Sequence, residues 1–202
     1  MGKTIAIVDY GVGNLLSVQN ALVYIGQQSL ITADAVELAR ADGIILPGVG
    51  AFADAAERLQ RSGLVETIKS AVKTRPLLGI CLGMQLLFSG SQEGRNVAGL
   101  GLISGRVELI QTEEKLPQIG WNALEIREKA TLFQGLEQGD YVYFVHSYHC
   151  VPADEKMVAA TCDYGTTVCA AVQHGNCFGT QFHPEKSGDV GLQILKNFGA
   201  LL

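Results

Sequence analysis

Apolar and polar positions in the first half of the chain switch between two periods. KTIAIV (3–8), GIIL (43–46) and LLGIC (77–81) are continuous apolar runs of strand length. Runs of this kind suit strands buried on both faces, as in a parallel sheet covered by helices. Between them the spacing turns helical: Asn14 stands at an N-cap position, Leu15, Val18, Leu22 and Ile25 follow at helical intervals, and Gly26 stops the run. A short strand near 29–32, a helix near 34–40 and helical segments over about 51–73 complete this half. The apolar run at 77–81 passes into a further helix over about 82–88.

After Gly94 the pattern changes to shorter segments rich in β-branched and aromatic residues, at 105–110, 119–126, 141–145, 157–161, 167–173 and 177–182. Gly175-Asn176 reads as a hairpin turn that leaves His174 in solvent. Asp189 is placed to cap a last helix whose apolar face uses Ile194, Leu195 and Phe198. The expected fold is α/β, an open, mostly parallel sheet flanked by helices with additional antiparallel strands, in one domain over 1–202.

Composition narrows the classes of function. Of 202 residues, 48% are hydrophobic and 17% charged, enough for a sizeable core and too few charges for a long disordered tail. A net charge of −5 leaves no electrostatic footprint for nucleic acid. The most apolar stretch, 77–88, is interrupted by Gly79, Gly83 and Gln85 and is too short to span a bilayer. The first residues enter a strand pattern with no export signal, so a cytoplasmic chain is expected. Five widely spaced cysteines without a C-x-x-C pair argue against a disulfide framework or a structural zinc site, and no metal or cofactor is expected.

One cysteine stands apart. Gly79-Ile80-Cys81-Leu82-Gly83 is a G-x-C-x-G run between an expected strand and an expected helix, the cysteine version of a nucleophile elbow. Such a turn is sharp, and small residues two positions either side let strand and helix approach. The thiol then stands at a helix start, where free amides favour thiolate, and the Leu82 amide points to where an oxyanion would form. A buried cysteine between incidental glycines is the competing reading, and the strand–turn–helix context favours the nucleophile.

A nucleophile needs a base. His183 in QFHPE (181–185) follows a β-prone segment, and Pro184 biases it to an extended backbone, which would place His183 and Glu185 on one side. Glu185 would then orient the imidazole and stabilise the imidazolium. His146 and His149 are taken as structural or pocket-wall residues. Pro47-Gly48-Val49-Gly50 follows an apolar strand, so its Val49 or Gly50 amide is a second oxyanion donor candidate. Gln85, one turn after Cys81, is placed to bond a polar substrate beside the thiol.

GICLGMQ (79–85), PGVG (47–50) and HPE (183–185) together resemble the class I (triad) glutamine amidotransferases. DYGVGN (9–14), LPQIGWN (116–122), YFVHSY (143–148) and HPEKS (183–187) look, within that family, like the glutaminase subunit of imidazole glycerol phosphate synthase, with Ile119 where methionine is expected. The resemblance implies a flavodoxin-like core and a mechanism. Cys81 attacks the glutamine side-chain amide, His183 protonates the departing ammonia and then activates water, and Glu185 orients His183. It also implies that Gln85, Glu93, Ser147 and Tyr148 line the glutamine pocket, Glu93 facing the substrate α-ammonium. The implied partner is a separate cyclase of (β/α)₈ barrel fold in histidine biosynthesis, with Asn14, Gln118, Trp121 and Lys186 as interface candidates.

Val49 adds an expectation of its own. A β-branched residue restricts its backbone where glycine would swing freely. Its amide is therefore expected to be not always aimed at the oxyanion, so that hydrolysis waits for the partner. Two other readings stay open at this level: a flavodoxin-like binding module without chemistry, and a cysteine hydrolase serving a different substrate or synthase.

Overall fold

Strand β1 (Thr4–Val8) shows why the first half folds as it does. Its residues alternate between two apolar layers, Ile5 and Ile7 on one side and Ala6 and Val8 on the other, all without exposure. The computed structural model describes residues 2–94, 97–128 and 130–202. Along the chain follow α1 (Leu15–Tyr24), β2 (Gln28–Thr32), α2 (Ala35–Arg40), β3 (Gly43–Gly48), α3 (Phe52–Arg61), α4 (Val65–Ala71), β4 (Leu77–Cys81) and α5 (Leu82–Leu86). The second half adds β5 (Gly105–Leu109), β6 (Gln118–Ala123), β7 (Glu125–Ile126), β8 (Tyr141–His146), β9 (Tyr148–Pro152), β10 (Val158–Asp163), β11 (Thr167–His174), β12 (Cys177–Thr180) and α6 (Gly188–Gly199).

The main sheet has eight strands in the order β2-β1-β3-β4-β12-β11-β10-β7. It is parallel from β2 to β12 and antiparallel from β12 to β7. One apolar layer packs α1 and α6 on the sheet through Val18, Leu22, Ile194, Leu195 and Phe198. The other packs α2 to α5 through Leu38, Phe52, Leu59, Ile68 and Met84. Two antiparallel pairs, β5–β9 and β6–β8, form separate small sheets.

The parallel half agrees with the hydrophobic pattern, and the departures have local causes. The helical stretch expected over 51–73 is two helices, broken at Gly63, whose φ of +75° ends α3. Helix α5 stops at Leu86, because the Leu87 and Phe88 amides bond carbonyls only three residues back. Ser187 takes the N-cap position of the last helix, and Asp189 lies inside its first turn. Strand β12 ends at Thr180, short of 182, and joins the parallel side beside β4. β9 was not visible as a separate strand: half-buried Tyr148 and His149 blur its alternation.

Two registers converge on one point. Gly48 at the end of β3 pairs with Cys81 at the end of β4, and Thr180 at the end of β12 pairs with Ile80. Three chain segments therefore leave the sheet together at its carboxyl edge, where open α/β sheets place their ligands. The approach depends on missing side chains. A Cβ on Gly48 would lie 2.8 Å from the Gly83 nitrogen, and one on Gly79 2.7 Å from the Gly83 carbonyl carbon. A Cβ on Gly83 would run into the Leu46 carbonyl oxygen, which is rigid strand backbone. Gly83→Ala should therefore cost about 1–3 kcal/mol of stability, the usual range for overpacking. Urea denaturation checks this, and an unchanged midpoint would refute the close approach.

Candidate active site

Cys81 is the last residue of β4 and the cap of α5, with φ 55° and ψ −113°. Among the described residues it is the one non-glycine with a left-handed φ. Such a conformation costs about 1–3 kcal/mol and persists only where the surroundings enforce it. The glycines at 48, 79 and 83 supply that enforcement. The result is a sulfur 6% exposed as a residue, at the edge of a cavity of about 280 Å³. The volume is near the lower end of roughly 300–1,000 Å³ for ligand sites, on the scale of one amino acid.

Residues from six parts of the fold line this cavity, among them Pro117 from the segment just before β6. Val49 and Gly50 come from the loop after β3, Cys81, Leu82 and Gln85 from the elbow, Glu93 from the following loop, Val145 to Tyr148 from β8 and β9, and His183 from the segment after β12. A larger, more open groove of about 570 Å³ beside it is lined by Ser89, Ser91, Gln92 and Arg106 among others, and its described lining has no cysteine and no histidine.

His183 and Glu185 are a buried pair, with Nδ1 and Oε1 2.8 Å apart and both side chains at most 3% exposed. The extended spacing expected from the sequence is not how they meet. His183 is extended, but Pro184–Lys186 is a 3₁₀ turn, and that turn brings Glu185 back to the imidazole. The segment is fastened to β8. The His183 amide donates to the Tyr143 carbonyl, the Ser187 hydroxyl donates to the His183 carbonyl at 2.7 Å, and the Tyr143 amide donates to the Ser187 hydroxyl.

The carboxylate accepts from Nδ1, so Nε2 is the nitrogen left for chemistry, and it is buried without a conventional hydrogen-bond partner in the protein. Burial alone would lower the His183 pKa. Its interactions with the Cys81 sulfur and with Glu185 outweigh burial and raise it from 6.5 to about 9. An imidazole that keeps its proton at neutral pH beside a thiol is the arrangement in which nucleophilic cysteines work. The other four thiols lack it. Burial pushes Cys162 and Cys177 up to about 11 and Cys169 to about 12, and raises Cys150 well above its usual value.

Gln85 is 4% exposed, and its side-chain amide donates to the Tyr148 carbonyl and to Gln181 Oε1, both at 3.0 Å. Gln181 in turn directs its amide to the Cys81 sulfur at 3.7 Å. Sequence reasoning gave Gln181 no role, although it lies two residues before His183. A glutamine in a β-prone segment carries no signal until the strand order sets it beside β4. Glu93 accepts from the Phe52 amide at 2.9 Å with one carboxylate oxygen, and this ties the start of α3 to the cavity rim. The buried Tyr10 hydroxyl donates to the Pro47 carbonyl at 2.8 Å. Burial, then the proximity of Cys81, raises the Tyr10 pKa, so this hydroxyl stays a donor and anchors the 47–50 loop.

The expected surface candidates separate. Asn14 is exposed and accepts from the Ser17 amide as the cap of α1, and Lys186 is exposed beside Glu185. Trp121 is 52% exposed and meets Tyr143 edge-on at 6.1 Å, so it is not a core residue. Gln118 has no exposure: it faces inward from β6 and donates to Asn122 Oδ1 at 2.9 Å, so it drops out of the docking set. His149 accepts from the Cys169 amide, and burial lowers its pKa. His174 is exposed at the β11–β12 turn.

Comparison with known proteins gives this geometry a family. The sequence model of Glutamine amidotransferase class-I matches residues 6–201, and the chain belongs to that family. The solved structure of PurLQS from Thermotoga maritima superposes with a TM-score of 0.76 at 23% identity, covering 98% of each chain. At that identity it speaks for the fold. Nearer relatives are imidazole glycerol phosphate synthase subunits HisH. The protein from Moorella thermoacetica is 52% identical over 99% of this chain and 96% of its own length. Those from Bacillus cereus (strain G9842) and Caldanaerobacter subterraneus are 50% and 47% identical, over 96% and 98% of this chain and 93% and 98% of their own lengths. Among the described residues no helix is long and apolar enough to cross a membrane.

The His183–Glu185 pair yields a prediction. Glu185→Gln removes the charge that helps hold the imidazolium, so the His183 pKa should fall from about 9, as read by NMR titration of the ring protons. A raised folded-state pKa contributes stability that is complete below 6.5 and lost as pH rises through about 9. The variant should show a smaller loss of stability over that window in urea titrations.

Proposed function

We propose that this chain hydrolyses the side-chain amide of glutamine and passes the ammonia to a partner subunit of imidazole glycerol phosphate synthase. The supporting observation is the buried Glu185–His183 pair facing a strained Cys81 in one amino-acid-sized cavity. The names of the relatives support the choice of synthase.

Cys81 is the nucleophile and adds to the amide carbon to give a tetrahedral oxyanion. The Leu82 amide and one from Val49 or Gly50 receive that charge. Such a donor is worth about 3 kcal/mol. His183 Nε2–H protonates the departing nitrogen, the C–N bond breaks, and a glutamyl thioester remains on Cys81. The now neutral His183 takes a proton from water, which hydrolyses the thioester to glutamate and restores the thiol. Acid–base catalysis of this kind is worth roughly 10²–10⁴ in rate. Glu185 fixes the tautomer and stabilises the imidazolium. Gln85, Glu93, Ser147 and Tyr148 form the glutamine site, with Glu93 available to the α-ammonium.

The partner in this reading is a cytoplasmic (β/α)₈ cyclase. It uses the ammonia to form imidazole glycerol phosphate and aminoimidazole-carboxamide ribotide in histidine biosynthesis. Its docking face would include Asn14, Trp121 and Lys186. Val49 is 44% exposed, and Gly50 beside it has a φ of +94°. A loop with one face free suits a donor set in place by the partner.

Three outcomes test the reading. Cys81→Ala should abolish glutamine-dependent synthesis by the complex and leave synthesis from added ammonium salts intact, and loss of both would contradict separate sites. A glutamine-analogue alkylator should label Cys81 at neutral pH and leave the other four thiols unmodified, as mass spectrometry of peptides would show. The isolated chain should hydrolyse glutamine more slowly than the complex, and equal rates would refute activation by the partner.

A further inference from the structure

His146 lies at the end of β8 and contributes to the wall of the cavity that holds Cys81 and His183. It is 7% exposed, tilted against Phe144 at a ring distance of 5.5 Å, and its charge would act on His183. Its two nitrogens are in different situations. Nδ1 lies 2.8 Å from the Tyr148 carbonyl oxygen. A carbonyl accepts only, so Nδ1 carries the proton. Burial, then the neighbouring histidines, hold the ring pKa down, to about 4 despite the Tyr148 bond, so the imidazole is neutral at physiological pH. Nε2 is therefore a bare lone pair, and it is buried with no partner in the protein. A buried acceptor left unpaired is costly, and the groups without partners in a native fold call for an explanation.

The position of this lone pair supplies one. β8 pairs with β6 so that His146 stands directly opposite Gln118, whose Oε1 is likewise buried without a partner. Cross-strand partners share a face, so both acceptors belong to the inner side of the β6–β8 pair. The outer side of the same pair carries exposed Ile119, Trp121 and Val145. On that inner side His146 Nε2 is an acceptor with no proton to give, in the wall of the cavity that also holds the His183 imidazole.

We propose that His146 Nε2 accepts an N–H from the ammonia released at Cys81 and positions it, still unprotonated, toward the β6–β8 face. The inference rests on the glutaminase reading above. In the step concerned, His183 gives its Nε2 proton to the amide nitrogen, the C–N bond breaks with its electron pair on nitrogen, and the oxyanion re-forms the thioester carbonyl. The neutral ammonia donates a hydrogen bond to His146 and takes no proton from it, because the proton on His146 is held at Nδ1 by Tyr148. Ammonia kept neutral retains the lone pair that a downstream amination needs.

Two isosteric variants separate this role from a structural one, assayed in the assembled synthase with glutamine as substrate. His146→Gln carries an acceptor to the place of Nε2 and loses the Nδ1 donor. His146→Asn keeps a donor near Nδ1 for the Tyr148 carbonyl and loses the acceptor. The Asn variant should lower kcat about tenfold with KM little changed, and form less synthase product per glutamate. The Gln variant should stay within about threefold of the parent on both measures. A reversed order, equal loss in both variants, or an Asn variant that matches the parent would overturn the proposal. Synthesis from ammonium salts, unchanged in both variants, shows that the complex is assembled. If either variant lost it, the role would be structural and the proposal would fail. A parent complex that does not hydrolyse glutamine would instead refute the function itself.

Discussion

The backbone contact between the end of β3, the end of β4 and the start of α5 is the constraint on which the rest of the site depends. Gly48, Gly79 and Gly83 meet at distances that leave no room for a Cβ. Because they meet, the chain must turn within one residue between strand and helix, and that residue is Cys81 with its left-handed φ. The strain is local and its support is distributed. The support comes from the register of β3 on β4, from Tyr10 holding the Pro47 carbonyl, and from apolar layers on both faces of the sheet. Loosening any of these would relax the turn before it affected the core.

The second half of the chain brings the partners of that sulfur. β12 comes late in sequence yet inserts beside β4, so the segment that follows it, with Gln181 and His183, emerges next to Cys81. β8 lies outside the main sheet but binds the His183 segment through Tyr143 and Ser187. The small sheets therefore form the outer wall of a site whose floor is the parallel core. Gln85 links the two parts, since its amide donates to the Tyr148 carbonyl of β9 and to Gln181, which directs its own amide to Cys81.

What was legible in the sequence follows from range. The apolar runs at 3–8, 43–46 and 77–81 are local facts about strands buried on both faces, and they placed the parallel core and the elbow correctly. The G-x-C-x-G spacing is also local, because sterics at one turn dictate it. The pairing of His183 with Glu185 was legible as well, although the geometry assumed for it was an extended pair and the fold uses a 3₁₀ turn. Gln181 was silent, and Gln118 misleading, for the same reason. A glutamine is polar by composition, and only the pairing of distant strands makes the first a bridge to the sulfur and buries the second against β10. Trp121, expected at a surface, is half exposed on β6, because its alternate position in the strand points away from the buried face that holds Gln118.

One cavity holds two histidines that the fold drives apart in charge. Both are desolvated, which by itself disfavours the imidazolium in each. His183 faces a carboxylate and a sulfur, and these reverse the effect of burial. At His146 burial prevails: the Tyr148 carbonyl opposes it only in part, His149 and His183 add to it, and the ring stays neutral. Identical side chains thus present the cavity with a protonated nitrogen at His183 and an acceptor nitrogen at His146, set apart by what each ring's other nitrogen touches. Such a division is what a reaction needs when it must protonate a leaving amine once and then not again. An acid strong enough to expel ammonia would, if repeated along the exit, convert it to ammonium and end its use as a nucleophile. The burial that makes His146 a poor base is therefore compatible with the task of the site, and the same burial is what the Cys81 sulfur and the Glu185 carboxylate together outweigh at His183.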